Sequence, residues 1–422
     1  MRRPLGLWET ACALIHDKGQ GTANTCMAVY IKGKLDFFLL KKAFYNLYCR
    51  HPLLRATCYR DIQSYFFQTN ADFHNIPLEQ IIVDEENAWL EQFLQILKEP
   101  YPIHQYLWRS MLITSRSNLK DHCLLIGLHH SILDGASQLS ILKDLLSFYE
   151  KLEQGQTPDL IQLSLIPAIE YHLPAGISWT QYNKNQKTID NLFGPTPKLK
   201  FHNFSAENLE PKILFCDFDE LILNKLQALC KEKKAKMTAV INTALLFAST
   251  ELETSLHVPV NLRSYAKPVV SSEHIGCFIS MVKTIHHINR KIDFWNLVQH
   301  YQYQFDNNFY LTGLTPKEFD IDEVASWFEI PEHSGRREFT AGFGISNWGK
   351  INFPERFGSL AVTGIHRGSG RQIGDFPYFL HIATINNKIW GAFSYVEPMM
   401  STIWMNNYIK KFREILEDLA LK

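Results

Sequence analysis

Leu124-Leu125-Ile126-Gly127-Leu128-His129-His130-Ser131-Ile132-Leu133-Asp134-Gly135 is the stretch on which the reading of this chain turns. From Cys123 to Leu128 the run is apolar throughout and too short for a typical helix. It predicts a strand buried on both faces. An amphipathic helix is expected from about Ser137 to Leu152, with Leu139, Leu142, Leu145, Leu146 and Tyr149 at helical spacing. Strand, polar tip, turn and helix is an arrangement that often carries chemistry, because a rigid strand end positions the side chains after it.

Consecutive strand residues point to opposite faces, so His129 and His130 are poorly placed to share one metal ion. Zinc sites draw on further ligands at short spacing, and only Asp134 stands nearby in sequence; no metal is expected. An imidazole with an ordinary pKa near ~6.5 suits a general base around neutrality. On that reading one histidine faces the reaction and the other supports the scaffold. The bland alternative is two polar residues that merely close a strand.

His286-His287 serves as an internal control: it too follows an apolar run, but Ile-Asn-Arg-Lys comes next, with no Asp-Gly. The complete pattern His129-His130-Ser131-Ile132-Leu133-Asp134-Gly135 resembles the signature of the thioester-dependent acyltransferases related to chloramphenicol acetyltransferase. That superfamily includes condensation domains of nonribosomal peptide synthetases, alcohol acetyltransferases and polyketide-associated acyltransferases. The resemblance implies His130 as general base and His129 as a structural residue. It also implies an ion pair between Asp134 and an arginine of the second half, for which Arg263 in Pro259-Val260-Asn261-Leu262-Arg263 is the candidate. Asp134 has a second reading, as the group that orients the imidazole. Pairing is favoured, because a carboxylate buried alone is costly.

At 422 residues the chain is long enough for two domains, and its 46% apolar and 20% charged content is ordinary for a globular protein. Lys plus Arg and Asp plus Glu both number 43, which gives no support for nucleic-acid binding. The eight scattered cysteines include no Cys-x-x-Cys and suggest a reducing compartment, so a cytoplasmic location is expected. Glu9 interrupts the only apolar stretch near the basic Met1-Arg2-Arg3, and no run is long enough to span a bilayer.

The expected fold class is α/β (α+β), two chloramphenicol acetyltransferase-like subdomains with a tunnel between them. Each is a mixed sheet flanked by helices, over residues 1–175 and 213–422, with 176–212 as linker. In the first half, strands are expected over 26–32, 56–59, 64–68 and 108–114. Helices are expected over 36–48, capped by Asp36, and 86–97. Arg50-His51-Pro52-Leu53-Leu54-Arg55 resembles the motif that opens condensation-type acyltransferases, with His51 read as a packing or capping residue. The prolines Pro158, Pro167, Pro174, Pro195, Pro197 and Pro211 mark an irregular crossover, with a short helix allowed over 161–171. In the second half, strands are expected over 213–218, 255–262, 275–284, 339–346 and 360–365. Helices are expected over 220–231, 238–250, 293–305 and 402–419. A hairpin turns about Asn386-Asn387.

Two later stretches extend the resemblance. Ile275-Gly276-Cys277-Phe278-Ile279-Ser280 is similar to the Gly-x-Phe-x-Ser run of alcohol acetyltransferase-like members, and Ser346-Asn347-Trp348-Gly349 to a Ser-Asn-x-Gly turn that approaches the tunnel. Either also reads as a strand end turning on glycine. The implied chemistry moves an acyl group from a CoA or phosphopantetheinyl carrier thioester, a co-substrate rather than a bound cofactor, to an alcohol or amine acceptor. A hydroxyl acceptor is the leading expectation. Backbone N–H groups at Asp134-Gly135, with Ser280, Ser346 or Asn347, are the candidate substrate or oxyanion contacts. The alternatives are an amide-forming condensation enzyme and a non-catalytic binding descendant of the fold.

Overall fold

The computed structural model describes the chain apart from residues 20–22, 62–63, 86, 174–176, 289–291, 329, 353 and 422. Pro174, the expected helix start at Glu86 and the Asn289-Arg290-Lys291 run lie outside the described residues. The strands are β1 (Arg2–Pro4), β2 (Asn24–Lys32), β3 (Ala56–Arg60), β4 (Tyr65–Thr69), β5 (Leu78–Val83), β6 (Trp108–Ser115), β7 (Asp121–His129), β8 (Glu210–Phe215), β9 (Glu253–Asn261), β10 (Ile279–His287), β11 (Phe343–Lys350), β12 (Arg356–Phe357), β13 (Leu360–Ser369), β14 (Phe379–Ile385) and β15 (Lys388–Glu397). The helices are α1 (Leu7–Lys18), α2 (Phe37–Arg50), α3 (Ala88–Lys98), α4 (Gly135–Glu153), α5 (Trp179–Phe193), α6 (Glu220–Glu232), α7 (Met237–Ala248), α8 (Phe294–Thr312), α9 (Ile321–Ser326), α10 (Pro331–Ser334) and α11 (Thr402–Leu421).

Two six-stranded mixed sheets carry the fold, in the orders β12-β13-β2-β7-β6-β5 and β10-β9-β11-β14-β15-β8; a small sheet β1-β4-β3 stands beside them. The apolar signature strand, β7, sits inside its sheet between β2 and β6. Its alternate residues serve two cores. Leu124, Ile126 and Leu128 join Leu40, Phe44, Leu142 and Leu145 of α2 and α4. Cys123 and Leu125 join Phe93, Ile96 and Leu97 of α3. A strand covered by helices on both sides must be apolar at every position, and each buried leucine contributes about 1.5–3 kcal/mol.

Local signals explain most element ends. The Asp36 carboxylate accepts from the Phe38 and Leu39 N–H groups and starts α2. Asn386 and Asn387 both take positive φ, 49° and 54°, and make the tight turn between β14 and β15. The β10 strand begins at Ile279 rather than at residue 275 as expected, because the preceding segment bends to place the Phe278 N–H on Asp134.

Among the departures from the sequence reading, two bear on the architecture. Helix α5, capped by Ser178, occupies much of the stretch expected to be linker. Only Tyr182 and Ile189 of it are fully buried, too sparse a stripe to declare a helix. In addition, β12 and β13, from the second half of the sequence, belong to the sheet of the first half. There β13 runs antiparallel to β2 from Ala361↔Lys32 to Ser369↔Thr25. Sheet membership therefore cuts across the expected division at residue 213.

Residues 1–212 produced alone would leave the edge of β2 unpaired. This fragment should aggregate, and coexpression with residues 213–422 should restore a soluble complex, read by size-exclusion chromatography. A monodisperse 1–212 monomer with cooperative unfolding would contradict this account.

Candidate active site

At the end of β7 the chain parts its two histidines. The His129 N–H donates to Leu107 O at 2.8 Å and the His130 N–H to Ala23 O at 2.8 Å, so the residues just before β6 and β2 hold the strand tip on both sides. His129 is fully buried. Its Nδ1 meets Ser131 Oγ at 2.7 Å, and its ring stands edge-on to His16, centroids 5.2 Å apart. Burial, then the nearby His16 and His130, push its pKa well below the ordinary histidine value, so it stays neutral in the fold. His130 lines a cavity of about 760 Å³ between the halves.

The turn after His130 is fastened by one carboxylate. Asp134 caps α4 by accepting from the Ser137 N–H at 2.8 Å and the Ser137 hydroxyl at 2.9 Å. The Arg263 fork donates to it at 2.7 and 3.1 Å, and the Phe278 N–H at 3.1 Å. Burial alone would raise the Asp134 pKa; Arg263 and Ser137 overcome it and bring the carboxyl below its usual value. Both oxygens are thus engaged by groups other than the imidazole. Gly135 starts α4 beneath Trp348, where a Cβ would come within 2.1 Å of the indole Nε1. Only glycine fits there without moving the ring.

The other sequence candidates divide. Ser346 and Asn347 line the cavity. Ser346 Oγ accepts from Arg367 at 3.4 Å; Asn347 donates to Thr238 Oγ1 at 3.2 Å and accepts from the Gly349 N–H at 2.8 Å. Ser280 is not in the lining: Ile279 and Met281 face the cavity, and strand alternation turns the fully buried Ser280 to the other side of β10. His51 is buried, with Nε2 3.0 Å from Asp144. The control pair lies in the second sheet, with His286 on Thr284 and His287 on Glu253.

Three residues at the site were not anticipated. Cys12 of α1 and Cys277 come to His130, and one ligand atom from each lies within 4.8 Å of the other two. A hydrogen bond from Cys277 lowers the Cys12 pKa against the opposing effect of burial, with His130 and Arg371 adding to the lowering. Cys277 is correspondingly pushed up. Two thiols and an imidazole form a soft donor set of the kind that suits zinc. These thiols lie more than a hundred residues from His130 on either side, so no short ligand spacing in the sequence announces the cluster. The third is Arg367 of β13, a buried cavity-lining residue whose guanidinium stacks on Trp348 at 3.7 Å. Nothing in its sequence surroundings marks it.

Replacing Asp134 with Ala strands the buried Arg263 charge and should cost about 3–5 kcal/mol, read by urea denaturation. A pH effect also follows. His129 and His381 are pushed well below the ordinary value, and His257 and His286 to about 3, all chiefly by burial. The unfolded chain then binds more protons below pH ~6.5. Stability contributed by these rings is complete above that pH and is lost as pH falls through the folded values. Thermal midpoints across pH 8 to 5 should decline below ~6.5; a flat profile would contradict the neutral assignments.

Comparison with known proteins agrees with this architecture. The family model of the condensation domain matches residues 15–420. Surfactin synthase subunit 2 of Bacillus subtilis is 32% identical over 185 residues, 42% of this chain and 5% of that protein. The chain spans only 1 to 6% of the length of the first curated relatives it matches. Among solved structures, the trichothecene 15-O-acetyltransferase TRI3 of Fusarium sporotrichioides superposes with a TM-score of 0.78 at 12% identity, covering 100% of this chain and 95% of that one. The EpoB cyclization-docking bidomain of Sorangium cellulosum gives 0.74 at 15% identity, with 100% and 85% covered. With the family match running over nearly the whole length, this chain belongs to the condensation-domain family.

Proposed function

We propose that the chain is an acyltransferase that moves an acyl group from a CoA or carrier-protein thioester to an acceptor hydroxyl, with His130 as general base. The observation that carries this reading is the division at the strand tip. His129 is buried in the scaffold, Asp134 is spoken for by Arg263, and His130 is left facing a cavity between the halves.

The chemistry asks little beyond that placement. A thioester carbonyl is activated enough for direct attack. His130 takes the acceptor proton as the oxygen adds, and returns it to the departing thiolate as the tetrahedral intermediate collapses. The first turn of α4 begins at Gly135, where the leading N–H groups of a helix have no partner within it. The Gly135 and Ala136 N–H groups, which Asp134 does not take, are with Ser346 and Asn347 the donors proposed for the oxyanion. Arg263 acts through Asp134 as a positioning residue. An amine acceptor is the second reading, favoured by the nonribosomal peptide synthetases among the matched relatives.

Thiol release from a panel of acyl-CoA and acyl-pantetheine donors, offered alcohol and amine acceptors, tests the proposal. His130→Ala should lower turnover about 100- to 10,000-fold with its unfolding midpoint unchanged. His129→Ala should instead lower the midpoint. Full activity in the His130 variant would end this assignment.

A further inference from the structure

Each cation on the cavity wall but one is paired with an acid, held by several carbonyls or exposed to solvent. Asp134 is held by Arg263, and Asp375 by Arg371 at 2.8 Å. Arg336 donates to the Glu338, Gly374 and Ile373 carbonyls. Lys198 is exposed to solvent. Arg367 differs from all of these. It is 6% exposed, and among the described residues its guanidinium meets only Ser346 Oγ, at 3.4 Å, and the face of Trp348. Its Nε is buried without a partner. A guanidinium does not shed its proton in a protein, so this charge is desolvated without an acid in contact; Asp134, whose charge reaches it, is already held by Arg263.

The position is close to the proposed chemistry. Trp348, on which Arg367 lies, packs directly over Gly135 at the start of α4. His381, also on the wall, feels the charges of Arg367, Arg371 and His130 together. Ser346, the acceptor of the Arg367 hydrogen bond, is one of the proposed oxyanion contacts.

We propose that Arg367 is a specificity-determining residue that seats a carboxylate borne by the acceptor. The fork of an arginine matches the two oxygens of a carboxylate, and a cavity of low dielectric strengthens the pairing. Free CoA offers anions too, but pantetheine separates its phosphates from the thioester. An anion this deep in the wall therefore belongs to the molecule that reacts. The inference rests on the acyl-transfer reading only in calling that molecule the acceptor.

The test begins with binding, which needs no turnover. Octanoate, octanamide and CoA are added separately to the full chain, and the thermal midpoint is followed. Wild type should be stabilised by octanoate and not by octanamide, and Arg367→Met should lose that difference while Arg367→Lys keeps part of it. Equal effects of octanoate and octanamide on wild type would overturn the proposal, whether or not the variants fold. Stabilisation by CoA alone that vanishes in Arg367→Met would also overturn it, by assigning the anion to the donor. In turnover, hydroxy acids are compared with their amides. Arg367→Met should raise KM for the acids, relative to that for their amides, about 10- to 100-fold. Loss of turnover in wild type with every donor would count against the acyl-transfer reading, while the octanoate comparison would still decide on Arg367.

Discussion

The site depends on one buried ion pair. Asp134 stands just beyond the last strand of the first half's core, and Arg263 follows β9 in the second sheet, so the contact is at once a cap, a turn fastener and a bridge between halves. Burying two charges is expensive, and a lone pair would barely repay it. Here Ser137 and Phe278 complete the carboxylate's coordination, and Phe278 lies under the Arg263 guanidinium at 4.6 Å. The same contacts pull the segment carrying Cys277 against the turn carrying His130. Without the pair, the cavity loses the arrangement of its walls, and the cost appears in geometry as much as in stability.

The two histidines show how a period of two can separate roles at adjacent positions. His129 ends the strand on the side of the core, where its ring is neutral and held by Ser131. His130, one residue later, opens a short turn and looks into the cavity. The second pair, His286-His287, lacks the aspartate and the helix start, and its rings bond Thr284, Glu253 and the Phe193 carbonyl. Adjacent histidines therefore carry little meaning until something after them bends the chain.

Much of the fold was legible because its signals are local. An apolar run for β7, Asp36 ahead of α2, and Asn386-Asn387 between two strand-like runs each act over a few residues. The Asp134–Arg263 contact was legible only through a resemblance, since no spacing rule links positions 129 residues apart. What escaped is what depends on distant partners. Helix α1 was missed because Glu9 breaks its apolar pattern, yet Glu9 is buried and held by Arg3 at 2.7 Å, so a charged residue behaves there as an interior one. Cys12 was lost with it. Arg367 lies on β13, whose long partner strand β2 comes from the other half of the sequence, and its surroundings exist only after β13 has crossed over. Ser280 was misplaced for a simpler reason: the strand containing it begins later than the apolar run suggested, and its parity sends it away from the cavity.

The crossing of β13 has a mechanical side. A segment that leaves the second half, zips along β2 for most of its length and returns at Gly370 ties the two bodies together along one seam. Arg367 stands on the crossing strand itself and stacks on Trp348 of β11 in the other sheet, so this part of the cavity wall is built from both bodies at once, and a break in the β2–β13 ladder would disturb it directly.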